Sequence, residues 1–434
     1  MLDILKHRTY RHLFLAQVVA LLGTGLATVA LSLLAYDLAG KNAGQVLGTA
    51  LAIKMVAYVL VAPLASALAE NVPRRMLLVS LDLVRAATAL ALPFVTEVWE
   101  VYVLIAVLQS ASAAFTPTFQ STIPDTLPDE DDYTKALSLS RLAYDLENLI
   151  SPALAGLVLL MTSWQGLFSG TVLGFIASAL LVVSVTLPKK TAGEKPQGFF
   201  ERVKRGFRVF LATPRLRGVM ALNVVVSLAG AMVIVNTVVW VQGELRLTEQ
   251  HTAFAFAAFG AGSMLAALAL PALLKRWADR QVMLSGAAIL IIGLLLAIPV
   301  SSFMWLLPVW AWLGVGFSTV QTPVGRLLTR SSHPQDRPAL FAAQFSVSHA
   351  GWLVAYPLAG WLGSAVGLQV TLVVMTVLAI LFLIPAIKLW PADDPLEISH
   401  VHDDLPEDHP HIKETGARHT HPYIVDDWHR RWPW

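Results

Sequence analysis

The chain has 434 residues, of which 56% are hydrophobic and 14% are charged, with a net charge of +2 and a mean hydropathy of +0.63. A soluble protein averages about 45–50% apolar and about 25% charged residues. This composition excludes an ordinary cytosolic enzyme and a nucleic-acid-binding domain. The absence of cysteine from the sequence also excludes disulfides, iron–sulfur clusters and thiolate metal sites.

Twelve apolar runs, each long enough to cross a bilayer, follow one another along the chain. They predict an all-α membrane protein with twelve transmembrane helices. The spans are predicted at residues 12–38, 43–69, 76–96, 100–123, 136–162, 164–187, 218–242, 251–274, 281–300, 304–328, 339–365 and 368–390.

The distribution of Lys and Arg predicts the orientation in the membrane, because cytoplasmic loops carry an excess of both. With the N-terminus inside, the cytoplasmic segments before the tail hold twenty of these residues, whereas the opposite loops hold Lys41 and Arg246. We therefore expect both termini on the cytoplasmic side of a bacterial inner membrane. Between the sixth and seventh spans, residues 199–208 read as an amphipathic helix on the inner leaflet.

The two sets of six spans resemble each other in sequence, with matching positions about 205 residues apart. Thr116-Pro117 corresponds to Thr322-Pro323, and the motif Pro152–Gly156 corresponds to Pro357–Gly360. Duplicated halves predict two pseudo-symmetric six-helix bundles with a cargo site between them. The expected parts are a first bundle at 1–187, a cytoplasmic linker at 188–217, a second bundle at 218–390 and a disordered cytoplasmic tail at 391–434.

The turn after the second span carries the most specific motif. Its residues Ser66-Ala67-Leu68-Ala69-Glu70-Asn71-Val72-Pro73-Arg74-Arg75 resemble the loop signature of the major facilitator superfamily, normally Gly-x-x-x-Asp-Arg-x-Gly-Arg-Arg. By that resemblance, the acid and the twin arginines would form a charge-relay contact that holds one conformation closed and breaks during rocking. The matching turn of the second half contributes Asp279 and Arg280. The alternative is that these turns are ordinary positive-inside loops.

Span 5 adds a second resemblance, because Asn148–Gly156 is similar to the Gly-Pro motif of the antiporter branch of that family. The family implies the major facilitator fold, secondary transport by alternating access, and export rather than import. A helix kinked at Pro152 is the alternative interpretation of the same residues.

Ionisable residues inside a span are costly unless they are paired or line a wet cavity, so each is a candidate functional residue. In span 5, Arg141, Asp145 and Asn148 share one helix face, whereas Glu147 lies on the other side. Since Arg141 can neutralise only one of the two carboxylates, the other is expected to titrate or to receive a cation. Lys54 in span 2 is a candidate partner for either acid.

Other polar residues predict a gating pair and a cavity lining. Asp82 and Arg85, three residues apart, form either a conformational gate or a simple internal ion pair. His349 binds a metal or a proton in one interpretation, and in the other it is hydrogen-bonded by a neighbouring hydroxyl within the helix packing. The predicted cavity lining consists of Gln321, Arg326, Gln344, His349, Trp352 and Tyr356.

The tail after Trp390 holds seven of the twelve histidines, together with ten Asp or Glu residues. Imidazole and carboxylate ligands without thiolate suit Ni²⁺, Co²⁺ or Zn²⁺. In this respect the chain resembles the nickel-resistance exporters of the superfamily. The alternative is a solvated polar tail that binds nothing. The candidate metal ligands are His400, His402, His409, His411, His419, His421 and His429.

Together these features predict a monomeric, proton-coupled exporter of a divalent transition metal or a metal chelate. Its partners would be the lipid bilayer, the transported substrate and protons, without nucleic acid and without a required cofactor. One alternative is an exporter of amphipathic organic compounds such as drugs or siderophores. Another is a membrane-anchored metal sensor. An enzyme is not expected, because the sequence contains no nucleotide-binding loop, no Gly-x-Ser-x-Gly elbow and no His-Glu-x-x-His motif.

Overall fold

The computed structural model is nearly all helical. It describes residues 2–68, 72–127, 129–187, 199–333, 336–395, 397–401, 418–421, 423–426, 429 and 432.

The first half consists of six long helices, in agreement with the first six predicted spans. They are α1 (Arg8–Ala39), α2 (Ala43–Leu68), α3 (Arg74–Ala91), α4 (Val98–Thr126), α5 (Glu130–Leu159) and α6 (Trp164–Val183). Several are apolar around most of their circumference, as expected for helices that face both lipid and protein.

The second half repeats this plan and confirms the remaining six spans. After the linker helix α7 (Phe199–Ala212) come α8 (Pro214–Val238), α9 (Glu249–Leu273), α10 (Asp279–Ala297), α11 (Phe303–Gln321), α12 (Val324–Arg330), α13 (Arg337–Val366) and α14 (Leu368–Leu389). The predicted span at 304–328 is divided between α11 and α12 by the turn Thr322-Pro323, since proline cannot donate a backbone hydrogen bond. The equivalent Thr116-Pro117 lies inside the unbroken α4.

Length and composition support membrane insertion. Within the described residues, nine segments are long and apolar enough to cross a bilayer, and one of them runs through both α1 and α2. The two predicted spans outside this set are α5 and α13, which have 30 residues each. At about 1.5 Å per residue, helices of this length can also cross the hydrocarbon core.

The linker helix α7 packs on the second half. A side chain at Gly206 would lie 2.2 Å from the carbonyl oxygen of Ala339 in α13, so the two helices are in close contact. Arg205 forms an ion pair of 2.8 Å with Asp336 at the start of α13. The sequence predicted that this helix lies on the inner leaflet. In the structure its apolar side chains contact the protein instead, and Val209 and Phe210 are buried.

Among the described residues, the backbones of the two halves approach each other closely near one membrane face. We refer to the face where α1 begins and α14 ends as the terminal face, and to the other as the opposite face. Near the opposite face, glycines let α2 approach α13 closely, since a side chain at Gly360 would lie 2.0 Å from the carbonyl oxygen of Gly44. Gln250 of α9 also donates a hydrogen bond of 3.4 Å to the carbonyl of Leu159 in α5.

The described part of the tail carries structure that the sequence did not predict. Strands β1 (Ile398–Val401) and β2 (Arg418–His421) form an antiparallel pair. Asp394 forms ion pairs of 3.4 Å with Arg215 and with Arg330. These contacts fix the beginning of the tail to α8 and α12 of the second half.

Candidate transport site between the two halves

Helices α2 and α13 bring a group of aromatic and ionisable side chains together between the halves. Lys54 and Tyr58 are four residues apart on α2, so they lie on one face of this helix. The ring of Tyr58 lies 5.8 Å from the ring of His349 and 5.9 Å from the ring of Phe345, both on α13. The site therefore contains residues of both halves.

Lys54 and Glu147 place opposite charges across this site. Among the described residues, neither side chain forms a direct ion pair. The side chain of Glu147 faces α1, where a Cβ atom on Gly25 would lie 3.6 Å from its Cγ. Lys54 lies one helical turn from Tyr58, whose ring contacts Phe345 and His349 of α13.

The hydrogen bonds of His349 define its tautomer. Its Nδ1 lies 2.7 Å from the carbonyl oxygen of Phe345, so this nitrogen is the donor. The ring centroids of Phe345 and His349 are 3.7 Å apart. In a neutral imidazole, Nε2 remains as a hydrogen-bond acceptor. A backbone carbonyl, rather than only the neighbouring hydroxyl of Ser348 at 3.4 Å, therefore orients this ring.

Trp352 and Tyr356 continue the aromatic face of α13 toward the opposite face. Their ring centroids are 4.9 Å apart, and Trp352 also lies 6.5 Å from Phe317 of α11. Tyr356 is buried where α2 passes close to it, since a side chain at Gly48 would lie 2.5 Å from its carbonyl oxygen. The one-face arrangement expected for His349, Trp352 and Tyr356 thus agrees with their positions.

The other predicted lining residues occupy different surroundings. Gln344 is buried, and its Oε1 has no hydrogen-bond partner among the described residues. Gln321 is the last residue of α11, at the break before α12. Arg326 is 58% exposed and forms an ion pair of 3.5 Å with Asp279 at the start of α10. That contact places Arg326 beside the start of α10, and its role as a lining residue stays a prediction.

Several predicted site residues lie outside the described part of the chain. The backbone of α5 carries Arg141, Asp145 and Asn148, but their side chains are not described, and Glu70 lies in an undescribed turn. Their coupling and gating roles stay predictions. Sequence reasoning missed Tyr58, although its spacing of four residues from Lys54 could have indicated that both line one helix face.

The gating arginines contact their own halves at the terminal face. Arg74 forms an ion pair with Asp125 at the end of α4. Arg75 donates to the carbonyl of Val183 at the end of α6. The equivalent Arg280 donates to the carbonyl of Trp390 at 2.9 Å. In both halves, the last basic residue of the turn therefore caps the last helix of its bundle.

Asp82 and Arg85 form an ion pair inside the first bundle. Both side chains are buried, and the guanidinium lies over the rings of Phe115 and Phe175 at 4.1 and 4.5 Å. These two rings belong to α4 and α6, so the pair connects three helices of one half. This location agrees with the simpler of the two sequence interpretations, an internal ion pair.

The tail histidines fall into two groups. The strand register pairs His400 with His419, and His421 lies two residues further along β2. Their side chains and residues 402–417, which include His402, His409 and His411, lie outside the described part. His429 is buried, with Nδ1 3.0 Å from the carboxylate of Asp426. Within the described residues, no group of three His, Cys, Asp or Glu side chains is arranged to hold a metal ion.

A duplicated bundle of membrane-spanning helices, with polar and aromatic residues at the interface between the halves, is typical of secondary transporters. The particular family follows from the sequence match. Residues 13–241 and 219–403 match the family model of the Major Facilitator Superfamily. The chain belongs to this family of integral membrane proteins.

Curated relatives match part of the chain. Macrolide efflux protein A of Streptococcus pyogenes is 23% identical over 202 residues, which is 44% of this chain and 49% of that protein. An uncharacterised transporter of the same family from Bacillus subtilis, YfiS, is 23% identical over 162 residues, or 36% of this chain and 39% of that protein. The chain thus spans at most about half the length of these relatives.

Solved structures share the fold over most of the chain. A bacterial homologue of the human lysosomal transporter Spinster has a TM-score of 0.68 and 14% identity, covering 88% of this chain and 98% of its own. The nucleoside transporter NupG has a TM-score of 0.65 and 13% identity, covering 89% of this chain and 100% of its own.

Proposed function

We propose that this transporter exports an amphipathic organic compound from the cytoplasm in exchange for protons. The observation that carries this proposal is the lining of the interface between the halves, where Tyr58 contacts Phe345 and His349 one helical turn from Lys54. Aromatic rings with a few ionisable groups suit a ligand that is partly apolar and partly charged. The name of a relative, macrolide efflux protein A, supports export as the direction of transport and an organic compound as the substrate.

The orientation follows from the basic residues. The terminal face carries Arg74, Arg75 and Arg280, and an excess of Lys and Arg favours the cytoplasmic side. The close approach of the halves at the opposite face, through Gly44 and Gly360, supports a site that opens toward the cytoplasm in this proposal. An exporter loads its substrate in this state.

Glu147 is the proposed coupling residue. A carboxylate between membrane helices is costly when ionised unless a cation is near. A proton and a cationic group of the substrate can therefore compete for it, so that binding of one releases the other. Asp145, on the same helix, is the second candidate for this role. Rocking of the halves would expose the site alternately to the two sides.

The metal cargo expected from the tail has less support. The described residues contain no three-ligand metal cluster, and His429 is hydrogen-bonded to Asp426. The organic substrate is therefore the function proposed here. Metal transport is retained as one outcome of the experiment.

The test is uptake into inside-out vesicles with an acidic interior, which compares a cationic amphipathic dye with Ni²⁺, Co²⁺ and Zn²⁺. The full chain is compared with Glu147→Gln and with a chain ending at Pro395, which keeps the contacts of Asp394. Dye uptake that needs the gradient and Glu147, but not the tail, is the expected result. Gradient-driven Ni²⁺ uptake without dye uptake would establish the metal exporter instead.

A further inference from the structure

We propose that Asn236 of α8 limits how firmly the two halves close at the opposite face, because its amide oxygen lacks a hydrogen-bond donor only while that face is closed. This inference rests on the alternating access of the proposed function, and it names a residue that sets the balance between the two conformations. The geometry that points to it is the position of the Asn236 side chain, which lies between α13 of its own half and α2 of the other half.

The hydrogen bond to α13 fixes the orientation of the Asn236 amide. Its Nδ2 lies 3.1 Å from the carbonyl oxygen of Ala359 on α13 and 3.3 Å from the sulfur of Met232, one turn earlier on α8. A carbonyl oxygen can only accept a hydrogen bond, so the nitrogen of the amide must face Ala359. Both contacts lie within the second half, and Asn236 therefore moves with α8 and α13.

The oxygen of the same amide faces glycine backbone. Asn236 is fully buried, and no hydrogen-bond donor among the described residues reaches its Oδ1. A Cβ atom on Gly44 of α2 would lie 2.8 Å from this oxygen, and a Cβ atom on Gly363 of α13 would lie 2.9 Å from it. The backbones of the two glycines therefore fill the space in front of Oδ1, from which a water molecule or a hydroxyl group could otherwise donate.

Two other polar contacts between the halves at this face are paired. Trp361 of α13 donates a hydrogen bond of 3.2 Å to the hydroxyl of Thr49 on α2, and Gln250 of α9 donates to the carbonyl of Leu159. These hydrogen bonds stabilise the closed face. The amide oxygen of Asn236 destabilises it, because a buried polar atom without a partner carries its full desolvation penalty.

Opening of the opposite face removes this penalty. When the halves separate there, α2 withdraws from α8 and α13, and water can donate to Oδ1 of Asn236. The penalty therefore applies to one conformation only, and it shifts the equilibrium toward the state that is open at the opposite face. Without it, the close contact of α2 with α13 would hold the transporter longer in the state that faces the cytoplasm.

The test measures how often the opposite face opens. Thr49→Cys, in the full-length chain that otherwise has no cysteine, reports opening by its labelling rate with an impermeant thiol reagent added to intact cells. Asn236→Ala and Asn236→Val, each added to this background, remove the unpaired acceptor and should each lower the labelling rate about tenfold. A role in packing predicts the opposite sign for Asn236→Ala, because the cavity left by alanine would weaken the closed face and raise the rate.

A second buried asparagine on the same helix provides the control. Asn223 also has an amide without a hydrogen-bond partner among the described residues, but it lies thirteen residues earlier, about 20 Å nearer to the terminal face. Asn223→Ala should therefore leave the labelling rate unchanged.

The outcomes separate this inference from the proposed function. A labelling rate that is raised or unchanged in both variants of Asn236, or lowered equally by Asn223→Ala, would overturn the inference, whereas gradient-driven dye uptake by the wild type would still support the proposed function. Absence of dye uptake by the wild type would instead reject the proposed function, because labelling of Thr49→Cys does not depend on the substrate.

Discussion

The two halves share one helical plan but differ in the chemistry of their interiors. In the first half, α3 buries the ion pair of Asp82 and Arg85. The positions about 205 residues later are Ala287 and Leu290, which are equally buried but apolar. The position that corresponds to Glu147 is Trp352. The shared helical plan therefore does not require an ion pair at the positions of Asp82 and Arg85, because the equivalent part of α10 is packed with apolar side chains instead. The pair of Asp82 and Arg85 is a feature of the first half alone at these two matched positions.

The largest expected effect comes from breaking the buried ion pair of the first half. Arg85→Leu introduces the second-half residue while Asp82 remains buried without its cation, so the free energy of unfolding should fall by about 3–5 kcal/mol. Unfolding of the purified protein in detergent and denaturant measures this change.

Replacing both members of the buried ion pair tests whether the pair itself or only its charge balance is needed. Asp82→Ala with Arg85→Leu copies the second half, and it should recover most of the lost stability, because no buried charge is left uncompensated. Lys388→Leu, at an exposed lysine of α14, serves as the control and should change stability little. A double variant as unstable as Arg85→Leu would show that the pair itself, and not only its balance, is needed.

The second prediction concerns the carboxylates of α5. Asp145→Asn with Glu147→Gln gives the first half an uncharged helix at the positions where the second half has Ala350 and Trp352. Proton-driven transport should be lost in vesicles, while size-exclusion elution and thermal stability stay near wild type. Full activity of this folded variant would remove both residues from the coupling mechanism.

The third prediction tests where the halves meet. In Gly360→Ala, the added Cβ would lie 2.0 Å from the carbonyl oxygen of Gly44, so the opposite face cannot close as it does here. The natural chain has no cysteine, which allows Thr49→Cys to report accessibility to an impermeant thiol reagent. Its labelling rate should rise about tenfold in the Gly360→Ala background.

A matched glycine provides the control for this experiment. A Cβ atom added at Gly325 on α12 would meet no heavy atom within 4 Å among the described residues, so Gly325→Ala should leave the labelling rate of Thr49→Cys unchanged. Equal labelling in the two glycine variants would mean that the contact of α2 with α13 does not close this face.

The smallest expected effect is in the tail. If the tail binds metal, His400→Ala with His419→Ala removes a pair that the strand register places opposite each other. Ni²⁺ affinity, measured by calorimetry, should weaken by about threefold, because other histidines remain available. His429→Ala should not weaken it, since the ring of His429 is hydrogen-bonded to Asp426. The opposite ranking would place the metal at His429.

The sequence predicted the twelve spans well, because long apolar runs are a direct consequence of the solvent that surrounds them. It was less successful where one half contacts the other or the tail contacts the bundle. The approach of Tyr58 to His349 depends on the crossing of α2 and α13, which no local pattern encodes. Asp394 looked like one more acid of a polar tail. Only the folded chain shows that it lies between Arg215 and Arg330.

The described part of the tail is attached to the second half of the molecule. Asp394 is held by α8 and α12, and Asp426 accepts a hydrogen bond of 3.2 Å from His333, just after α12. The C-terminal segment should therefore travel as one body with the second half, whereas the N-terminus begins the first half. Resonance energy transfer between two fluorophores, one fused to each end of the chain, should therefore change as the two halves move relative to each other during transport.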